Sequence, residues 1–210
     1  MKIENSLIVK SKNFDKAKKL VIFLHGYGSE GADFENGINH ISKDFQDTVF
    51  LAPDGPFECE EYCGRKWFSL SNDLKQKEIT DGLSQAAPLL KTYLEEIKQE
   101  YSCDNIVLVG FSQGAMLSFE MLYHARLSMI VACAGIFIAH EAKPIIDKNT
   151  NVLIVHSDDD VVVPYNNAIL AKEELDKLGV TNKILTYHGI GHSISVEAWT
   201  SCAAFIRDGI

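Results

Sequence analysis

The residue with the sharpest chemical signature is Ser112, set in Gly110-Phe111-Ser112-Gln113-Gly114. The pentapeptide follows an apolar run, Asn105–Val109, and opens a stretch whose apolar positions include Ala115, Phe119 and Leu122. That strand-turn-helix context is the one a G-x-S-x-G nucleophile elbow requires. The serine must sit on a tight, strained turn, where side chains two residues to either side would collide with neighbouring elements. The plainer reading is a serine N-cap with glycines for packing. A serine hydroxyl is a poor nucleophile without a base within hydrogen-bond reach, and that base needs an orienting carboxylate. Seven histidines compete for the role: His25, His40, His124, His140, His156, His188 and His192. His40 and His124 fall on helical stretches with exposed faces, and His140 lies in a polar connection. His192, in Gly189-Ile190-Gly191-His192-Ser193, follows the last strand-like run, where flanking glycines let an imidazole swing over a serine. His188 is its nearest rival.

The carboxylate is expected between serine and histidine in chain order. His156-Ser157-Asp158-Asp159-Asp160 follows the run Val152–Val155 and precedes Val161-Val162-Val163-Pro164. Three adjacent aspartates cannot all point at one histidine, and spacing alone does not choose among them. Their plainer roles are a solvated acidic turn or a cap for the helix after Pro164. The loop lacks the glycine and terminal glutamate of a calcium site. Acyl chemistry also needs two donors for an oxyanion. One is expected from the N–H of Gln113, the residue after the nucleophile, and the other from the loop His25-Gly26-Tyr27-Gly28 after an early strand.

These loops must be held by a scaffold, and the hydropathy pattern supplies one. Strand-like runs occur at Ser6–Val9, Leu20–Leu24, Thr48–Ala52, Asn105–Val109, Met129–Ala132, Val152–Val155 and Lys183–Tyr187. Their near-continuous apolar character suits parallel strands covered on both faces. Helical stripes lie between them: Phe34, Ile38, Ile41 and Phe45; Leu83, Ala87, Leu90, Leu94, Ile97 and Tyr101; Ala168, Leu175 and Leu178; Val196, Trp199, Ala203 and Ile206. Pro88 is expected to kink the second of these helices. The alternation predicts an α/β fold, a mostly parallel twisted sheet with helices on both faces, with its chemistry at the carboxyl ends of the strands. From Asp54 to about Ile79 no period emerges. This stretch carries Phe57, Tyr62, Trp67, Phe68 and Leu70, too many large apolar groups for a disordered tether, and reads as an ordered flap over a pocket (54–79).

Composition narrows the remaining classes. The 210 residues fit one domain, 1–210, better than two. With 46% apolar and 23% charged residues the chain is an ordinary globular protein rather than a disordered one. A net charge of −9 repels phosphate backbones and anionic headgroups, which argues against nucleic-acid partners and for at most transient membrane contact. Cys59, Cys63, Cys103, Cys133 and Cys202 are odd in number, and no second Cys or His pair completes a zinc site. They read as free thiols in a reducing cytosol. The apolar stretch Leu20–Leu24 is too short for a membrane span or a signal segment, so a cytoplasmic location is expected.

One rival motif overlaps the oxyanion loop. Gly26, Gly28 and Gly31 form G-x-G-x-x-G after a strand, and Asp54 follows the next strand, as in the dinucleotide-binding fingerprint. That reading leaves the elbow, the acidic loop and His192 unexplained. A non-catalytic binding module on a hydrolase scaffold is the other alternative.

With these residues in hand, the chain resembles the carboxylesterase and acyl-protein thioesterase family, the phospholipase/carboxylesterase group of small α/β-hydrolases. The resemblance runs almost end to end, through Leu24-His25-Gly26-Tyr27-Gly28 with Gly31, Ala52-Pro53-Asp54-Gly55-Pro56, Trp67-Phe68-Ser69-Leu70, Gly110-Phe111-Ser112-Gln113-Gly114-Ala115-Met116 and Gly191-His192-Ser193-Ile194. The stretch Gly64-Arg65-Lys66-Trp67-Phe68-Ser69-Leu70 looks like the family's bacterial esterase branch. Laid on His156 to Pro164, the family pattern H-G-x-x-D-x-x-V-P selects Asp160 as the triad acid, with Ser157 standing where the family usually has glycine. The resemblance further implies that the N–H of Tyr27 is the second oxyanion donor. It also implies that the long loop, with Trp67, Phe68 and Leu70, lines an acyl-chain groove. The expected activity is hydrolysis of esters or thioesters of short to medium acyl chains by Ser112, His192 and Asp160, with no metal or organic cofactor. Small lipid-like molecules are the expected substrates, and acylated proteins are a further candidate.

Overall fold

In a computed structural model of the chain, residues 3–12, 14–71, 73–140 and 146–209 are described. The strands in chain order are β1 (Asn5–Lys10), β2 (Lys19–Leu24), β3 (Thr48–Pro53), β4 (Phe57–Glu58), β5 (Arg65–Lys66), β6 (Ile106–Phe111), β7 (Met129–Cys133), β8 (Asn151–Ser157) and β9 (Asn182–Tyr187). The helices are α1 (Glu35–Ile41), α2 (Gln76–Tyr101), α3 (Gln113–Glu120), α4 (Asn166–Leu178) and α5 (Val196–Asp208). Seven strands form one sheet in the order β1-β3-β2-β6-β7-β8-β9. Every neighbouring pair is parallel except β1 with β3. The α/β expectation therefore stands, and all seven strand-like runs are sheet strands.

The apolar runs are continuous because the sheet is covered twice. Leu20, Ile22, Leu24, Leu108 and Ile154 pack with α2, α3 and α4 in one core. Their chain neighbours Val21, Phe23, Val107, Val109 and Val155 pack with α1 and α5 in the other. Successive side chains of a strand point to opposite faces, so one run of β-branched and large apolar residues serves both layers. β1 lies at the edge and alternates between half-buried and exposed positions, Ile8 among the exposed.

Two details depart from the sequence reading. α2 runs unbroken from Gln76 to Tyr101 through Pro88. Pro88 lies on the exposed face, as does Ser84 four residues earlier, so water can satisfy the carbonyl that proline leaves without a donor. In α5, Val196 is 63% exposed and Trp199 half-buried, while Ala203 and Ile206 are buried as expected and are joined by Ala198, Cys202 and Phe205.

β2 is flanked by β3 on one side and β6 on the other, so the chain's direction of travel across the sheet reverses at β2 and β6. Crevices at such a reversal, beyond the carboxyl ends of the strands, are where open α/β sheets bind ligands. Register brings Leu24 beside Gly110, so the loops that leave β2 and β6 start side by side.

Candidate active site

Ser112 ends β6 and opens α3 with φ 52° and ψ −113°. Left-handed backbone at a residue with a Cβ costs about 1–3 kcal/mol and persists only where the surroundings impose it. Here the Ser112 N–H donates to Cys133 O at 2.9 Å, and Ser112 O accepts from Ala115 and Met116 N–H at 3.0 and 3.1 Å. The flanking glycines are steric necessities. A Cβ on Gly110 would stand 2.3 Å from Gly114 O, and one on Gly114 would stand 1.9 Å from Leu24 O. The turn can therefore lie tight against β2 only with glycine at both places.

The three aspartates, which spacing could not separate, have three different neighbours. Asp158, exposed, pairs with His188 Nδ1 at 2.6 Å. Asp159 Oδ1 accepts the Ser157 hydroxyl at 2.5 Å and the Gly191 N–H at 3.0 Å. These bonds hold its carboxyl below the usual range, the Ser157 hydroxyl contributing most. Asp160 is buried: Oδ1 accepts the N–H groups of Val162 and Val163, both at 2.9 Å, and Oδ2 faces His192 Nδ1 at 2.7 Å. A carboxylate that accepts two amides and faces His192 Nδ1 favours the tautomer that leaves His192 Nε2 free for proton transfer. The single Ser157 hydroxyl proton is given to Asp159, and the neighbouring β9 carbonyl, Tyr187 O, lies 3.2 Å from the same oxygen.

His156 lies buried beneath the same loop. Its Nε2 donates to Val163 O at 2.8 Å and lies 3.4 Å from Asp160 Oδ2, while its Nδ1 is buried without a partner. Burial pushes this imidazole's pKa down. Of the remaining histidines, His124 and His140 each bond one oxygen of the buried Glu120, and His40 bonds Thr200. None of these three lines the cavity that holds Ser112.

His25 performs a task that sequence reasoning did not assign. Its Nε2 accepts the Gly55 N–H at 2.8 Å, so the proton resides on Nδ1, which donates to Gly26 O at 2.7 Å. Gly26 C=O and Tyr27 N–H belong to one planar peptide and point in opposite directions. Holding the carbonyl therefore aims the Tyr27 amide away from His25. Burial lowers the pKa of His25 and keeps it neutral. Gln113 N–H, at the start of α3, is among the first four amides of a helix, which have no partner within it.

The long loop differs from its expected role. It contains the small antiparallel hairpin β4–β5 and is pinned at several points. Arg65 Nε and Nη2 donate to Gly55 O and Pro56 O, each at 2.9 Å. Gln113 clamps it with both ends of its amide, Oε1 accepting Trp67 N–H at 2.9 Å and Nε2 donating to Phe68 O at 2.8 Å. Trp67 Nε1 donates to His25 O at 2.9 Å. Trp67 and Phe68 are 0% and 1% exposed and do not line the cavity that holds Ser112; both pack in the core, where they form the floor under the His25–Gly28 loop. Leu70 does line the cavity. A glycine inside the α2 pattern was the available signal, since a Cβ on Gly82 would stand 2.2 Å from the Phe68 ring.

The cavity measures about 430 Å³ and brings together Ser112, His192, Gly26 and Tyr27 with Leu70, Leu74, Tyr62, Val161 and Val162. Val161 and Val162 are 90% and 51% exposed, an apolar lip that follows directly on the acid loop. The dinucleotide reading fails at its acidic residue. Asp54 Oδ1 accepts the Gly31 N–H at 2.7 Å and closes the loop, and Gly31 opens a four-residue 3₁₀ turn rather than a helix able to face a pyrophosphate.

A parallel sheet with a strained serine at a strand-to-helix turn, followed in the chain by an aspartate–histidine pair, is the α/β-hydrolase arrangement. The chain belongs to the phospholipase/carboxylesterase family, whose profile matches residues 4–210. Acyl-protein thioesterase 1 of Saccharomyces cerevisiae is 28% identical, over 98% of this chain and 99% of its own. Acyl-protein thioesterase 1 homolog 1 of Dictyostelium discoideum is 26% identical, over 97% of this chain and 95% of its own. Among solved structures, esterase PE8 superposes with a TM-score of 0.90 at 29% identity and full coverage of both chains.

Proposed function

We propose that the protein is a serine hydrolase of carboxylic esters and thioesters, with Ser112 as nucleophile, His192 as general base and Asp160 as its orienting acid. The observation that carries this reading is the pairing of buried Asp160 with half-buried His192, whose ring lines the same cavity as the strained Ser112. Ser112 Oγ attacks the acyl carbon as His192 Nε2 takes its proton. Asp160 stabilises the imidazolium, and the amides of Tyr27 and Gln113 receive the oxyanion. The imidazolium then protonates the departing alcohol or thiol. Water, deprotonated by the same ring, releases the acid from the acyl-enzyme. The lip formed by Leu70, Leu74, Val161 and Val162 supports an aliphatic acyl group of short to medium length on the carbonyl side. Substrates in this reading are lipid-like small molecules or acylated proteins, the latter matching the names of the thioesterase relatives. Among the described residues no helix is long and apolar enough to cross a membrane. All five cysteines are unpaired, which supports a reducing, cytoplasmic setting.

The test is covalent labelling with a fluorophosphonate probe. The wild-type protein should label once, at Ser112, and Ser112→Ala should not label while keeping its thermal transition. Labelling that persists in a folded Ser112→Ala protein overturns the assignment.

A further inference from the structure

A second chamber, about 280 Å³, adjoins the cavity that holds Ser112 and shares with it Gly26, Ser29, Phe111 and His192. Ser112 and the apolar lip are not among its walls, which beyond the shared residues are Phe34, Ser193, Ile194 and Trp199, with the exposed Asp33. Trp199 is half-buried and stands edge-on to Phe34, with ring centroids 6.0 Å apart. Asp33 Oδ2 is fixed by the Ser29 hydroxyl at 2.5 Å and the Glu30 N–H at 3.0 Å. Those two donors hold the Asp33 carboxyl below the usual range, so it is ionised at neutral pH. Among the described residues it forms no salt bridge. The chamber thus combines aromatic walls with one unneutralised carboxylate, beside the ring that hands a proton to the leaving group.

We propose that this chamber is the leaving-group subsite and that it selects an alkylammonium-bearing alcohol or thiol, its cation seated among Trp199, Phe34 and Phe111 and facing Asp33. Aromatic faces attract alkylammonium groups through the ring quadrupole, and a carboxylate adds a direct charge. The overall charge of −9 draws the same cation toward the site. The bond that breaks is the one from the acyl carbon to the alcohol oxygen or thiol sulfur. That atom leaves with the proton from His192, and the cation takes no part in the chemistry. Division of labour follows: the lip of Leu70, Leu74, Val161 and Val162 reads the acyl chain, and the Asp33 chamber reads what departs.

This inference rests on the hydrolase reading above, and the experiment separates the two. Rates are measured for butyrylcholine, for its uncharged isostere 3,3-dimethylbutyl butyrate, and for p-nitrophenyl butyrate. The expected result is a kcat/KM about tenfold higher for the cationic ester than for its isostere, with the ratio falling toward one in Asp33→Asn. Wild-type protein that hydrolyses none of the three overturns the hydrolase reading. Protein that hydrolyses the two neutral esters but favours the cation by less than about twofold overturns the subsite alone. So does a folded Asp33→Asn whose ratio matches the wild type. Because Asp33 also holds the turn at Glu30, a second measurement uses the wild type only. Tetramethylammonium should inhibit p-nitrophenyl butyrate hydrolysis competitively, at concentrations where tert-butanol does not. Equal inhibition by the two compounds overturns the proposal.

Discussion

Asp158, Asp159 and Asp160 are adjacent in the chain and chemically identical, yet burial and partners separate them completely. Asp160→Asn replaces the carboxylate between two amides and His192 with a group that cannot stabilise an imidazolium and that favours the wrong tautomer. In the proposed triad its kcat should fall by about 10⁴-fold. Asp159→Asn keeps an acceptor for the Gly191 N–H but loses the charge that strengthens it, so the His192 loop is held less firmly. A loss of about tenfold is expected, the worth of a charge-assisted bond. Asp158→Asn breaks only an exposed pair and should cost little. Steady-state kinetics on the three variants check the order, and a larger loss at Asp158 than at Asp160 would overturn the assignment. At this scale the sequence marked Ser112 and His192 through their glycines, because a strained turn and a swinging loop leave steric traces in residue type. Spacing left the three aspartates unresolved, since their distinction is one of three-dimensional register, and only the family resemblance pointed to Asp160. His25 and the Gln113 side chain passed unnoticed as positioning groups for a similar reason: each acts through contacts with residues about 30 to 46 positions away, from Gly55 to Trp67 and Phe68.

Strands and helices were readable because burial imposes their patterns, short unbroken apolar runs for strands covered on both faces and a 3.6-residue period for helices. The aromatic loop was not, because a segment without a period can be a flap or a plug, and composition alone does not distinguish them. Its rings at Trp67 and Phe68 are buried and its backbone is paired, while Tyr62 and Leu70 line the cavity. Trp67 fills the core beneath His25, with ring centroids 5.2 Å apart, and bonds that residue's carbonyl. Trp67→Ala should therefore act on stability, by about 3–5 kcal/mol in denaturant unfolding, with any loss of activity following from a displaced oxyanion loop. Leu70→Ala removes a half-buried group at the cavity wall. It should change the ranking of p-nitrophenyl esters by acyl length while moving the unfolding midpoint far less. If Trp67→Ala leaves stability intact but shifts acyl preference, the loop is a substrate flap after all.

Across the whole molecule, the two edges of the site are tied to buried histidines that must stay neutral. His25 beside the Gly26–Gly28 loop and His156 beneath the aspartate loop both have lowered pKa values, with burial the largest cause in each. Each also keeps one ring nitrogen proton-free for a structural reason. His25 Nε2 accepts the Gly55 N–H, and His156 Nδ1 is buried where a new N–H would find no acceptor. In the unfolded chain both rings titrate near the ordinary histidine value of about 6.5. Below that pH the unfolded state binds more protons than the folded one, so stability rises with pH. The contribution of the two histidines is complete above about pH 6.5 and is lost as the pH falls toward their lower folded-state values. The global charge acts in the opposite sense, because acidification relieves the self-repulsion of a chain carrying −9. Each histidine is worth up to about 1.4 kcal/mol per pH unit over its window, whereas exposed charges are screened by salt. In moderate salt the histidines should therefore dominate. The melting temperature should be nearly level from pH 8 to 7 and decline from pH 6.5 to 5, before most carboxylates titrate. His156→Gln should flatten that decline. A wild-type melting temperature that holds or rises down to pH 5 would show that these imidazoles tolerate protonation, and with it that neutral rings are not what fixes the two loops around Ser112.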